Sequence, residues 1–575
     1  MSRRGLYAVA AVFALCSLGL SILHDHTKIH YRLPATAAIA AARANPGDRS
    51  FLAHNPTTRA RVIPLDEKLQ RVTFFDGPQV VLDAAVGEHG EVLATEQHVA
   101  GASASGAKLA NSPWVLGLLS LVFVLALAVW PLWRVRNLDA LVLASLTVTV
   151  PLINARLVGA SVICACLALG YLLLRCAALG LSARPRPAAS PSTPLLARMC
   201  HGWEPWRRVR LLRLLLLATV LAFLMVTLTS SGYTDVAIAS LEGATDVLHG
   251  VAPYGHIHLA LHGDTYPLLN YLLYLPGAIA DPVSSPFSDE SGSLFVAAAA
   301  SLLAGWALYR VAARPQTAAG GDERTAERGL RAALAWFAFP PLLLAASGGA
   351  NDVVLAACLA WMLALRRRAG LSLLLLAAGA WVKLVPVILL AIWAPHDRRA
   401  HAQDSRRALA RAYAPAIALS LALAGLLAAL GGPGAISAMV RAISFQFQRG
   451  SFFAPWYTFD LQWLQPLAQA AVIALLLAAM LRLRAHRSSP LELSRVSAIA
   501  GALLLGVQLA ANYWTWSYLV WVLPFVLVAL FFSDTSACAQ SPSPQARGRR
   551  AANKPLLRRQ APTPRRPPSA VGSAG

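Results

Sequence analysis

Residues 366–399 read Arg366-Arg-Arg-Ala-Gly-Leu-Ser-Leu-Leu-Leu-Leu-Ala-Ala-Gly-Ala-Trp-Val-Lys383-Leu-Val-Pro386-Val-Ile-Leu-Leu-Ala-Ile-Trp-Ala-Pro-His-Asp-Arg398-Arg. An apolar run of this length is able to span ~30 Å of hydrocarbon. Arginine clusters mark the side of a membrane protein kept in the cytoplasm, and this run has one at each end. A single span would force Arg398-Arg and Arg406-Arg outside. Two short helices that meet near Lys383 and return to the same side remove the conflict. Twelve residues at ~1.5 Å rise reach ~18 Å, past the bilayer middle.

The rest of the chain carries the same signal. Further apolar runs lie near 114–132, 138–153, 158–179, 211–229, 293–313, 331–347, 350–366, 409–430, 466–484, 493–511 and 513–533. Hydrophobic residues make up 57% of the 575 and charged residues 13%, about half the share of a soluble chain. That balance excludes a soluble enzyme, a disordered chain and a fibrous protein. The net charge of +23 comes from arginines beside the apolar runs, where they orient helices and meet anionic headgroups. Membrane lipids are therefore the expected contact, and nucleic acid is not. The seven cysteines fall in apolar runs or in segments read as cytoplasmic, so no structural disulfide is expected. Without a CxxC pair, no zinc or redox site is expected either.

The expectation is an all-α polytopic membrane protein of about fourteen membrane segments, the short pair counted as two, with both termini in the cytoplasm. Residues 1–24 are read as an uncleaved first helix, since no small-residue cleavage site follows it. Residues 25–112 are read as a small extracytoplasmic α+β domain. They hold an Ala-rich helix, Ala35 to Arg43, and two or three strands around Arg71-Val-Thr-Phe-Phe-Asp-Gly and Glu91-Val-Leu-Ala-Thr;. The Val72-Thr-Phe-Phe-Asp-Gly pattern and its hairpin resemble a PepSY-type domain. A three-helix membrane part follows over 113–180, then a Pro/Ser/Arg-rich cytoplasmic linker over 181–210. The main membrane core covers 211–533, and a basic disordered cytoplasmic tail covers 534–575.

This topology sends four polar patches to the outer face. They are Ser231-Gly-Tyr-Thr-Asp235 with its continuation through 291, Ser347-Gly-Gly-Ala-Asn-Asp352, Ser444-Phe-Gln-Phe-Gln-Arg-Gly-Ser-Phe-Phe-Ala-Pro-Trp456, and Asn512-Tyr-Trp-Thr-Trp-Ser-Tyr518. Asp235 precedes an amphipathic stretch that ends Gly250-Val-Ala-Pro-Tyr254. Tyr266-Pro-Leu-Leu, Lys383-Leu-Val-Pro386, Arg449-Gly450 and Tyr518-Leu-Val-Trp-Val-Leu-Pro524 follow in order. The ordered set over about residues 211–533 resembles the GT-C glycosyltransferases, most nearly glycosyltransferase family 87, the polyprenol-phosphate-mannose-dependent mannosyltransferases. Two features depart from that pattern. Gly348-Gly-Ala-Asn-Asp stands where the family has a Gly-Gln turn, and the Gln before the last Tyr is absent.

The resemblance implies an integral cell-membrane enzyme that moves a hexose, mannose by likeness, from a polyprenyl-phosphate donor. The acceptor would be an extracytoplasmic glycan or glycolipid, and the anomeric centre would invert. It implies Asp235 as general base, with Arg449 and Lys383 facing the donor phosphate. Tyr254, Asp264, Tyr266, Asn351, Asp352, Gln448 and Tyr518 are further candidates for substrate contact. No cofactor or metal is called for, since the lipid phosphate is already a good leaving group.

Plainer readings stand beside these. Asp235, Asn351 and Asp352 sit where helix caps sit. Lys383 is a charge in apolar surroundings, a functional sign, or it snorkels to the interface. Arg449 serves equally as an interfacial anchor. Trp456, Trp514 and Trp516 suit an aromatic belt. His249, His256, His258 and His262, like His24, His26 and His30, lack a metal-ligand spacing and read as solvated. The competing function is a transporter or lipid flippase, which should show internal repeats and polar residues on broken helices at mid-membrane; no repeat is visible. A third reading is an inactive, envelope-lipid-binding relative, against which Asp235 is retained.

Overall fold

The computed structural model describes residues 33–54, 56–64, 69–76, 79–97, 105–154, 157–182, 193–200, 202–230, 234–257, 263–283, 291–314, 322–393, 405–444, 450–451, 453–485, 493–513 and 515–532. The first helix read over 1–24 and the tail over 534–575 lie outside them.

Residues 33–97 hold two helices, Ala35–Ala44 and Pro46–His54, and an antiparallel meander. The strands β1 (Arg59–Pro64), β2 (Leu69–Asp76), β3 (Gln79–Gly87) and β4 (Val92–Gln97) lie side by side in chain order. Val72 pairs with Ala84 and Phe74 with Leu82. Successive side chains of a strand alternate faces, so these residues share one apolar face, on which Ala38 and Ala42 of the first helix pack. Thr73 and Asp83 pair between them, and Arg71 Nε donates to the Asp83 carboxylate at 2.8 Å. The expectation of one helix and two or three strands thus becomes two helices and four strands. Pro46-Gly restarts the chain as a second helix after Asn45, and Arg59–Pro64 is too short and charged to read as a strand alone.

Seven helices among the described residues are long and apolar enough to cross a membrane: Val135–Ile153, Val158–Leu181, Pro205–Leu228, Ser291–Ala312, Arg407–Gly431, Gln462–Leu483 and Leu493–Ala510. Glu323–Phe337 and Pro340–Ser347 make an eighth as one pair bent by 55°. The bend follows from Pro340-Pro341, which open the second helix; proline lacks an amide N–H and pushes Phe339, the residue before it, out of helical geometry. Five shorter apolar helices, Pro113–Leu127, Leu268–Ala280, Asp352–Ala364, Ala369–Val382 and Trp516–Leu530, pack among them. Leu268–Ala280 lies inside what the sequence reads as one outer loop, because its 13 residues fall short of a span. It crosses Ser291–Ala312 so closely that a Cβ on Gly277 would lie 2.6 Å from the Gly292 carbonyl oxygen, the small-residue contact common between membrane helices.

Several helices turn apolar rows outward. Leu217, Leu221 and Met225 are exposed on one, Ile417 and Leu421 on a second, and Ile473, Leu477 and Leu481 on a third. Spacings of four put each row on one stripe, as a lipid-facing surface requires.

Arginines gather at one end of the bundle and satisfy helix C-termini there, where the last carbonyls have no partner in their own helix. Arg331 Nε donates to Ala126 O at 2.8 Å, and Arg482 Nη2 to Ser182 O at 2.6 Å. Arg314 reaches Ala364 O, and Arg328 Nη2 reaches Phe532 O at 3.2 Å. Part of the 181–210 segment is ordered at this end. Thr193–Pro194 pairs with Val129–Trp130, and the Arg198 guanidinium lies 4.1 Å over the Trp130 ring.

Candidate active site

Ala369–Val382 ends as a helix at Lys383, whose amide still donates to Gly379 O at 2.9 Å. Beyond it come the 3-10 turn Val385–Leu389, with Pro386 near its start, and the short helix Leu390–Trp393. The chain returns the way it came: Trp393 Nε1 donates to Ser372 Oγ at 2.6 Å. Lys383 therefore sits at the tip of a helical hairpin. Its side chain does not snorkel outward. It is buried, and Nζ lies 2.6 Å from Asp352 Oδ1.

Asp352 is the first residue of Asp352–Ala364, the helix whose other end accepts from Arg314. Twelve residues at ~1.5 Å put ~18 Å between the two ends. Neither Asn351 nor Asp352 caps this helix, because the cap position carries no side-chain hydrogen bond. The Asp352 carboxylate instead accepts from Lys383 Nζ and, at 2.9 Å, from Trp521 Nε1 on one oxygen. Its other oxygen accepts from Ser517 Oγ at 2.8 Å. The Lys383 ammonium also lies 4.6 Å from the centre of the Tyr518 ring and 5.7 Å from that of Tyr266, within cation–π range.

Asp235 begins the helix Asp235–Leu248, but Thr234 caps it. Thr234 Oγ1 accepts from Ala237 N at 3.2 Å and donates to Gly348 O at 2.6 Å. The Asp235 carboxylate accepts from Val236 N at 2.9 Å and lies near enough to Lys383 for direct electrostatic attraction. Gly348 and Gly349 allow this approach. Gly349 has φ +65°, and a Cβ there would lie 2.1 Å from Ser293 Oγ. Asn351 Nδ2 donates to Asn270 Oδ1 at 2.8 Å, and Asn270 Nδ2 to Ser240 Oγ at 3.0 Å. This buried ladder ties the Asp352 turn to the Asp235 helix. Asn351 Oδ1 is buried and finds no donor among the described residues.

The other candidates serve as braces. The Tyr254 hydroxyl donates to Tyr266 O at 3.0 Å; burial, then the nearby Asp264 charge, pushes this phenol well above its ordinary pKa, so it stays a donor. Asp264 Oδ2 accepts from Gly255 N at 3.2 Å. Gln448 and Arg449 lie outside the described residues. The chain just after them is held at the site end, where Ser451 N donates to Asn512 O at 3.1 Å. The four polar patches thus meet: the first joins the second through Thr234 and Gly348, the second joins the fourth through Asp352, Ser517 and Trp521, and the third joins the fourth through Ser451. Among the described residues no three His, Cys, Asp or Glu side chains come together as a metal site; His258 and His262 lie outside them.

Thr234, Ser240, Asn270 and Ser517 were not singled out in the sequence, and Trp521 entered only as a position of the Tyr518-Leu-Val-Trp motif. Of the first four, Thr234 had a readable signal, a Thr-Asp pair ahead of a helical pattern.

Fold and site together define a polytopic membrane protein with a charged site at the helix ends opposite those that accept from Arg314 and Arg328. Residues 265–507 match the profile of glycosyltransferase family 87, so this part of the core is similar to that family of glycosyltransferases. The match includes Tyr266, Asn351, Asp352, Lys383, Gln448 and Arg449; Thr234, Asp235, Tyr254, Asp264 and Tyr518 fall beyond its ends. No curated protein and no solved structure matches the chain.

Proposed function

We propose that this glycosyltransferase moves a hexose, mannose by family likeness, from a polyprenyl-phosphate donor to an extracytoplasmic glycan or glycolipid in one inverting step. The observation that carries the reading is an Asp235 carboxylate left uncommitted to capping, which falls to Thr234, and within electrostatic reach of the buried Lys383 ammonium. An acceptor hydroxyl attacks the anomeric carbon and gives its proton to the Asp235 carboxylate. The bond from that carbon to the phosphate oxygen breaks, and its electron pair leaves on the polyprenyl phosphate. Lys383 and Arg449 balance the charge that grows there. Tyr266 and Tyr518 flank the ammonium, Gln448 lies beside Arg449 in sequence, and Asn351 Oδ1 offers an acceptor to a substrate hydroxyl. Tyr254 and Asp264 shape the loop around them.

The arginine end of the bundle suits the cytoplasm by the positive-inside rule. That orientation puts the site on the outer side of the cell membrane, where the acceptor is found, and both termini inside.

A second reading, lipid translocation, draws on the same broken helix with its buried ion pair, a form transporters use. Radiolabelled polyprenyl-phosphate mannose on membranes with and without the protein separates them. Protein-dependent release of polyprenyl phosphate with label in a new product supports transfer. Movement of intact donor across the bilayer without product supports translocation.

A further inference from the structure

We propose that Asp352 is a positioning residue that fixes the Lys383 ammonium for the donor phosphate, and takes no part in contacting substrate itself. The proposal rests on the reading of Lys383 given above. Asp352 is fully buried, and its carboxylate accepts from three side chains on three different segments: Lys383 at the hairpin tip, Ser517 in the 3-10 turn Trp516–Tyr518, and Trp521 in the helix Leu519–Leu530. With these donors in place it has little capacity left for a substrate hydroxyl and none of the access a base needs. The ammonium, by contrast, has three N–H donors and gives only one to Asp352. Its others are free to turn between the Tyr518 and Tyr266 rings. A long, flexible lysine side chain needs such an anchor to present its charge in one place.

Asp352→Asn isolates the charge from the shape. An Asn at this position keeps an oxygen for Lys383 and Trp521, and its amide donates to Ser517 Oγ. Ser517 Oγ then turns its own proton to Thr515 Oγ1, which already lies 2.6 Å away. The readout is the kinetics of transfer from radiolabelled polyprenyl-phosphate mannose by the full-length protein in liposomes. A displaced ammonium spoils transition-state geometry more than ground-state binding. Asp352→Asn is therefore expected to lower kcat on the order of 100-fold, with donor KM held within about twofold. Lys383→Ala is expected to lower kcat at least as far and to raise donor KM as well, and the double variant to match Lys383→Ala alone, since residues acting through one group are not additive.

Wild-type kcat in Asp352→Asn overturns the proposal. A double variant slower than Lys383→Ala by the full Asp352→Asn factor overturns it too, since Asp352 then has its own contact with substrate. Wild-type kinetics in Lys383→Ala would instead remove Lys383 from the site, and the phosphate reading with it. Should Asp352→Asn not accumulate, Ser517→Ala takes its place, removing one orienting donor and leaving the charge. It is expected to lose about tenfold in kcat, again masked by Lys383→Ala; unchanged kcat in Ser517→Ala overturns the proposal.

Discussion

Thr234 and Gly348, 114 residues apart, are joined by a hydrogen bond of 2.6 Å from the threonine hydroxyl to the glycine carbonyl. The same hydroxyl caps the helix that begins at Asp235. One side chain thus fixes where the candidate base starts and holds it against the turn that carries Asp352.

Thr234→Val should undo both contacts at constant volume. Loss of an N-cap costs about 1 kcal/mol, so thermal stability in detergent should fall only modestly. Activity should fall further, on the order of 10- to 100-fold in kcat, because Asp235 is no longer registered against the opposing turn. Thr234→Ser keeps the hydroxyl and should retain most activity. Equal activity in the Val and Ser variants would show that this bond does not set the site.

The glycine turn gives a stability prediction. A Cβ at Gly349 meets Ser293 Oγ at 2.1 Å in a left-handed backbone conformation, which costs ~1–2 kcal/mol for a non-glycine residue and ~1–3 more for overpacking. A Cβ at Gly348 crowds the Thr234 methyl, at 2.8 Å, and otherwise makes ordinary contacts, with ordinary φ. Gly349→Ala should lower the melting temperature and membrane abundance well beyond Gly348→Ala.

Much of this architecture could be read from residues, and what could not has physical causes. The hairpin around Lys383 was legible because arginines at both ends of one apolar run leave few topologies. The partner of Lys383 was not, because Asp352 lies 31 residues away at a position where an acid usually caps a helix. Asp235 posed the same ambiguity, and Thr234 taking the cap removes the capping reading alone. The Ser240–Asn270–Asn351 ladder joins short polar residues from three helices, and periodicity has no term for such pairings. Leu268–Ala280 stayed hidden for its length and for Pro276 within it. The bend at Pro340 was written in a Pro-Pro pair inside what otherwise scans as one apolar run.

Orientation can be checked with single cysteines at exposed positions. His256 and Arg367 are exposed at the two ends of the core. In intact cells, and against the wild-type background, His256→Cys should react with an impermeant thiol reagent. Arg367→Cys should react only after permeabilisation. The reverse pattern would turn the site toward the cytoplasm and remove the extracytoplasmic acceptor.

The most direct measurement compares wild type with Asp235→Asn for transfer of radiolabelled mannose from polyprenyl phosphate in reconstituted liposomes, with donor binding measured alongside. Asn keeps the shape of the side chain and its bond from Val236 N but removes the basic carboxylate. Losing general-base help costs ~10²- to 10⁴-fold in rate, so the account predicts a loss of that size with protein abundance and donor binding retained. Transfer by Asp235→Asn at the wild-type rate would contradict it.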